Sequence, residues 1–222
     1  MCGRYSLQTP ADTLAQHFQL AKVPLMRPRY NIAPRQPVLT VRIPAPQNGR
    51  EIWLARWGLI PSWAKDPSIG ERLIIARAET VADKPAFRDA MARMRCLIPA
   101  DGYYEWQRQG RRKQPFYIRM KDGRPFAFAG LWERWIGPDG KAVETCALLT
   151  TEPSESLRSI HNRMPVILDP SSYDLWLDPT VRRAAQLQLL FRPYRDEDLT
   201  AYPVSLHVND PSHDDAACLE PL

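Results

Sequence analysis

Apolar positions along the 222-residue chain fall into many short runs and few helical faces. Residues 38–43, 51–57, 116–120, 125–131, 145–150, 164–168 and 204–208 are rich in β-branched and aromatic side chains, and each predicts a strand. Four segments place a cap residue before proline at the start of an apolar period: Thr9-Pro10 leading to Leu14 and Phe18, Glu152-Pro153 to Leu157, Asp169-Pro170 to Tyr173, and Asp178-Pro179 to Val181. Each predicts a short helix, as do residues 83–94, with Phe87, Met91 and Met94 on one face. Strands outnumber helices without alternating with them. That pattern predicts an α+β fold, a single domain over residues 1–222 with a largely antiparallel, barrel-like β core flanked by short helices. Residues 44–49 (PAPQNG) and 137–140 (GPDG) read as loops or hairpin turns within it.

Composition narrows the function classes. At 44% apolar and 25% charged residues the chain resembles an ordinary globular domain, so disordered and fibrous classes are excluded. The longest apolar stretch, residues 126–132, is far short of the roughly 20 residues of a transmembrane helix. The opening MCGRYSLQTP has no apolar signal core, which predicts a cytoplasmic protein. The four cysteines show no paired spacing and read as reduced thiols; with His17, His207 and His213 they form no ligand motif, so neither metal nor cofactor is expected. The net charge of +5 conceals an asymmetry: residues 1–125 carry 22 Lys and Arg against 10 Asp and Glu (+12), and residues 126–222 carry 8 against 15 (−7). A basic half suits a polyanionic partner.

Cys2 is the most informative position. Removal of Met1 leaves an α-amine and a thiol on adjacent carbons, groups that ordinarily titrate at about 8 and about 8.5. Two chemistries follow: attack of the thiolate on an acyl carbon with the amine as base, or condensation of the amine with an aldehyde and closure of the thiol on the imine to give a thiazolidine. Gly3 permits close approach of a ligand, and the Arg4 guanidinium suits a phosphate or carboxylate. Glu105, within DGYYEW at 101–106, sits among aromatics that favour a raised carboxyl pKa and general acid–base work; a salt bridge to an arginine is the plainer alternative. His161, at a predicted helix-to-strand junction, is placed to face a cleft, although a single histidine is more often structural. Arg27, Arg29, Arg35, Arg77, Arg108, Arg111, Arg112 and Lys113, interleaved with Trp57, Trp63, Tyr103 and Trp106, fit a single-strand groove and a solvated basic face equally well.

Six ordered blocks taken together resemble the SOS response-associated peptidase (SRAP) family, whose members shield abasic sites in DNA: MCGR, Tyr30-Asn31-Ile32-Ala33-Pro34, Trp57-Gly58-Leu59-Ile60-Pro61-Ser62-Trp63, Ala76-Arg77-Ala78-Glu79-Thr80, DGYYEW, and HNRMPVIL at 161–168. The resemblance runs from residue 2 to about Pro221. It implies that Cys2 traps the ring-opened aldehyde of an abasic site as a thiazolidine DNA–protein crosslink, in single-stranded DNA and at junctions with duplex. Glu105 would move protons during imine formation, and His161 would assist ring opening and reversal. Arg4 and Arg77 would hold the flanking phosphates, with Asn31 and Trp63 as groove contacts. The protein is expected to act as a monomer, nucleoid-associated when bound. One position departs: Ile75 stands where the family block, similar to LINARAET, has an active-site asparagine, and Asn162 replaces a common aspartate. Isoleucine offers no donor or acceptor to a sugar oxygen.

Three rival readings keep the same residues. Class II glutamine amidotransferases also begin MCG, but their other blocks are missing here. Cys2 with Glu105 suits a thiol peptidase that cleaves a leader, or a lyase releasing the adduct. A non-catalytic DNA binder needs only the basic groove.

Overall fold

The computed structural model of the chain describes residues 2–44 and 48–222; residues 45–47, in the expected 44–49 loop, and Met1 lie outside the described residues. Thirteen strands among the described residues carry the fold. In chain order they are β1 (Tyr5–Leu7), β2 (Arg29–Ile32), β3 (Pro37–Arg42), β4 (Glu51–Trp57), β5 (Ile75–Arg77), β6 (Arg95–Ala100), β7 (Gly102–Gln109), β8 (Arg112–Met120), β9 (Phe126–Ile136), β10 (Ala142–Thr151), β11 (Met164–Pro165), β12 (Ile167–Leu168) and β13 (Leu199–Pro203). The helices are α1 (Ala11–Phe18), α2 (Arg88–Arg93) and α3 (Tyr173–Leu177).

Five strands close on themselves. β3 pairs with β4, β4 with β10, β10 with β9, β9 with β6, and β6 returns to β3, every pair antiparallel except β4–β10. Closure removes the open edges an isolated sheet would leave. The GPDG turn joins β9 to β10 as a hairpin. Gly130 faces Cys96 on one side and Leu148 on the other, and a Cβ there would come within 2.8 Å of Cys96 Sγ and Ile98 Cδ1. A second, wholly antiparallel sheet runs β13-β8-β7-β1-β2. Tyr5 of β1 joins the two layers, its ring edge-on to Trp57 (5.5 Å) and Phe128 (5.7 Å) of the barrel. The three rings are fully buried, each worth roughly 2–3 kcal/mol in transfer from water. The strand that follows Cys2 is therefore fixed to the buried core of the barrel.

The helices pack outside. Leu14 and Phe18 of α1 are buried, and Phe18 stacks on Tyr173 of α3 at 5.5 Å. Arg95, nearly buried, donates to the carbonyls of Trp176, Met91 and Asp178, closing the C-terminal ends of both α2 and α3. Desolvation lowers this guanidinium to about 10. No helix among the described residues is long and apolar enough to cross a membrane.

Several expected elements differ. At 178–183 the helix is replaced by a turn in which the Asp178 carboxylate accepts both the N–H and the hydroxyl of Thr180 (2.8 and 2.7 Å). The Glu152-Pro153 start yields only a 3-10 turn, Glu155–Leu157. In 83–94 the turns around Pro85 leave regular helix only from Arg88. The strand expected at 204–208 lies earlier, at β13; beyond it the Ser205 hydroxyl accepts from the His207 N–H and opens a 3-10 turn, Leu206–Asn209.

Candidate active site

The register between β1 and β7 assembles the site. Tyr5 lies opposite Tyr103 and Ser6 opposite Gly102, while the Tyr104 N–H donates to the Arg4 carbonyl at 3.0 Å. Continuing this antiparallel register brings residues 2 and 3 alongside Glu105. Gly102 is required for it, since a Cβ there would collide with the Tyr117 ring at 2.3 Å. A third segment arrives after β10: the Gln107 side chain donates to the Ser159 carbonyl (3.1 Å), tying β7 to the turn that presents His161. His161 Nδ1 lies 3.8 Å from Glu105 Oε1.

Burial sets the protonation states. Cys2 is fully buried, and desolvation, reinforced by the nearby Glu105 charge, pushes its thiol well above the ordinary range. Desolvation likewise raises the Glu105 carboxyl, 2% exposed, to about 7. His161 is half-buried, and the same cause holds its imidazole below the usual value. Its Nδ1 lies 3.1 Å from the Arg163 backbone nitrogen and 3.2 Å from the Arg163 carbonyl oxygen, which orients the ring. Arg163 is itself anchored by Glu79 through two bonds (2.7 and 3.0 Å) and by the Thr150 carbonyl (2.6 Å). The site thus combines a thiol, a carboxyl able to give or take a proton near neutrality, and a neutral imidazole.

Arg4 lies two residues from Cys2. Its Nη1 donates to Asn31 Oδ1 (2.9 Å) and the Val208 carbonyl (2.6 Å), and its Nη2 to the Asn209 carbonyl (3.1 Å). Among the described residues these bonds engage three of its five N–H groups. Asn31 is fully buried; its amide donates to the carbonyls of Val208, Asp210 and His213, so it stands behind Arg4 with no exposed surface. β5 carries Ile75 and Arg77 on one face of a strand paired with β10, and Arg77 is exposed. Trp63, 56% exposed, projects from the loop after β4. That loop turns at Gly58, whose φ of +132° and approach to the Gly70 carbonyl leave no room for a side chain.

The interleaved aromatics divide. Trp57 and Tyr103 are core residues, and Trp106 donates to Asn209 Oδ1 (2.8 Å). Arg29 pairs with Asp214 and Arg35 with Glu71. Arg108, Arg111, Arg112 and Lys113 gather at the exposed β7–β8 hairpin end, and Lys113 is near enough to His161 to disfavour its charged form. The role of Arg163 was not anticipated; its place two residues after His161 in HNRMP was the available signal.

The profile of the SOS response associated peptidase (SRAP) family matches residues 1–211. The chain is 43% identical over 224 residues to the abasic site processing protein YoqW of Bacillus subtilis (strain 168), covering 99% of each. It is 32% identical to the abasic site processing protein HMCES of Gallus gallus, over 88% of this chain and 67% of that one. A crystal structure of a protein from Bacteroides thetaiotaomicron superposes over the whole of both chains with a TM-score of 0.86 at 27% identity. With its α+β barrel and a family match over nearly its full length, this chain belongs to the SOS response associated peptidase (SRAP) family.

Proposed function

We propose that this protein processes abasic sites in single-stranded DNA by trapping them covalently on Cys2. The observation that carries the reading is the convergence of buried Cys2 and Glu105 with half-buried His161 from three separate segments. The names of its relatives, abasic site processing proteins, agree with it.

Once Met1 is removed, the α-amine of Cys2 adds to C1′ of the ring-opened deoxyribose. Glu105, protonated in part near pH 7, gives its proton to the departing hydroxyl, so water leaves and an imine forms. The nitrogen keeps its proton as the iminium, and the carboxylate then accepts the thiol proton as Sγ attacks the iminium carbon and the C=N electron pair returns to nitrogen. Aldehyde and cysteine combine to a thiazolidine with loss of one water. Burial that keeps Cys2 a thiol until the imine exists makes this proton acceptor necessary. His161, held neutral by burial, assists opening of the sugar hemiacetal and, in reverse, release of the adduct.

Arg4 and the exposed Arg77 hold phosphates flanking the lesion, with Asn31 supporting Arg4 from behind. Trp63 offers a face for a flanking base, and the basic hairpin end adds unspecific attraction. Intact-mass analysis of protein incubated with an abasic oligonucleotide tests the chemistry. The expected product has the summed mass of both partners less one water and resists borohydride. An adduct that gains two hydrogens on borohydride treatment is an open imine and contradicts ring closure by Sγ.

A further inference from the structure

The segment that follows β13 carries three side chains of different chemistry on one spot. His207 Nε2 lies 3.1 Å from Asp215 Oδ2, and a ring nitrogen of His207, a carboxylate oxygen of Asp215 and Cys218 Sγ all lie within 4.8 Å of one another. Residues eight and three apart in an irregular segment form no recognisable spacing, so the sequence gives no sign of the cluster. From this geometry we propose that His207, Asp215 and Cys218 form a binding site for a borderline-soft divalent cation, Zn²⁺, with a fourth position open to water.

The donor set suits that ion. Imidazole nitrogen, carboxylate oxygen and thiolate are the ligands zinc takes, at about 2.0–2.3 Å, which places tetrahedral ligand atoms roughly 3.3–3.6 Å apart. The His207–Asp215 separation is already close to that value, and Cys218 Sγ lies within 4.8 Å of a ligand atom of each. Harder cations prefer oxygen alone, and the thiol selects against them. Two of the ligands are held in place. The His207 ring stacks on His213 with centroids 3.9 Å apart, and Asp215 Oδ1 is fixed by the Ala217 N–H at 3.0 Å, leaving Oδ2 to face the site. Cys218 is buried while Asp215 is exposed and His207 half-buried, so an ion enters from solvent onto a thiol floor. On binding, the Cys218 S–H bond is exchanged for a sulfur–metal bond and the proton leaves to water; the thiol also gives up its weak contact with the His213 carbonyl.

Such an ion ties together the stretch whose carbonyls, at Val208, Asp210 and His213, receive Asn31. It is independent of the trapping chemistry.

Titration of reduced, full-length protein with Co²⁺ tests the site. The expected result is a thiolate-to-cobalt charge-transfer band that Zn²⁺ displaces, that persists in Cys2→Ala, and that disappears in Cys218→Ser. In His207→Ala, a surface change that spares the core, affinity is expected to fall at least tenfold, and the rise in melting temperature given by Zn²⁺ in the wild type is expected to vanish. Absence of the band, its loss in Cys2→Ala, or unchanged affinity in His207→Ala would overturn the proposal.

Discussion

Glu105 Oε1 stands 3.8 Å from Nδ1 of His161, beyond hydrogen-bond length. Burial moves the two in opposite directions, the carboxyl up to about 7 and the imidazole down, so near neutrality a half-protonated acid faces a neutral ring. The acid-dependent part of trapping is present below about pH 7 and fades above it. Glu105→Gln is expected to slow crosslinking by about 10²-fold or more and to remove that inflection from the pH–rate profile. Persistence of the inflection in the variant would assign it to another group.

Ile75 and Arg77 occupy the same face of β5, two residues apart, so a side chain at 75 points the way Arg77 does. An asparagine there restores a donor and acceptor that isoleucine lacks. Ile75→Asn is expected to raise the initial crosslinking rate, by up to about 10²-fold if the amide acts in the transition state. Equal or lower initial rates on a gel would remove position 75 from the active site.

Asn31 links Arg4 to three carbonyls of the C-terminal segment from a fully buried position. Asn31→Ala leaves those acceptors unsatisfied. It is expected to destabilise the fold by about 2–4 kcal/mol in urea denaturation and to expose residues 206–215 to protease. A stability change below about 0.5 kcal/mol would mean that the buried amide does not hold the segment.

Glu133 is 3% exposed, and among the described residues its Oε2 has no hydrogen-bond partner. Burial raises its carboxyl from 4.5 to about 7. Below 4.5 both folded and unfolded chains are protonated; between 4.5 and 7 the unfolded chain alone gives up the proton, so stability falls as pH rises through this window and is constant above it. Glu133→Gln is expected to lack that fall, a difference of up to about 3 kcal/mol between pH 4.5 and 7.5. A wild-type-minus-variant stability that does not change with pH would contradict the burial argument.

Legibility in the sequence follows local chemistry. Residues 51–57 were readable as β4 because the run is bounded and β-rich. β7 was missed because DGYYEWQRQ mixes core aromatics with a polar outer end, and β6 because it is buried throughout and lacks any alternation. At Asp178 an acceptor mistaken for a helix cap closes a local turn instead. Cys2, Glu105 and His161 were visible as residue types in motifs, but their convergence depends on the β1–β7 register and the Gln107–Ser159 tie, neither of which has a local signature. The burial of Asn31 likewise depends on where residues 206–213 return in space.

The most direct test of the central claim is a denaturing gel of Met1-processed protein incubated with a single-stranded oligonucleotide bearing one abasic site. The expected result is a covalent protein–DNA band that forms with wild type and is absent with Cys2→Ala. A band of equal intensity in Cys2→Ala, or wild-type binding that leaves no band after denaturation, would contradict it.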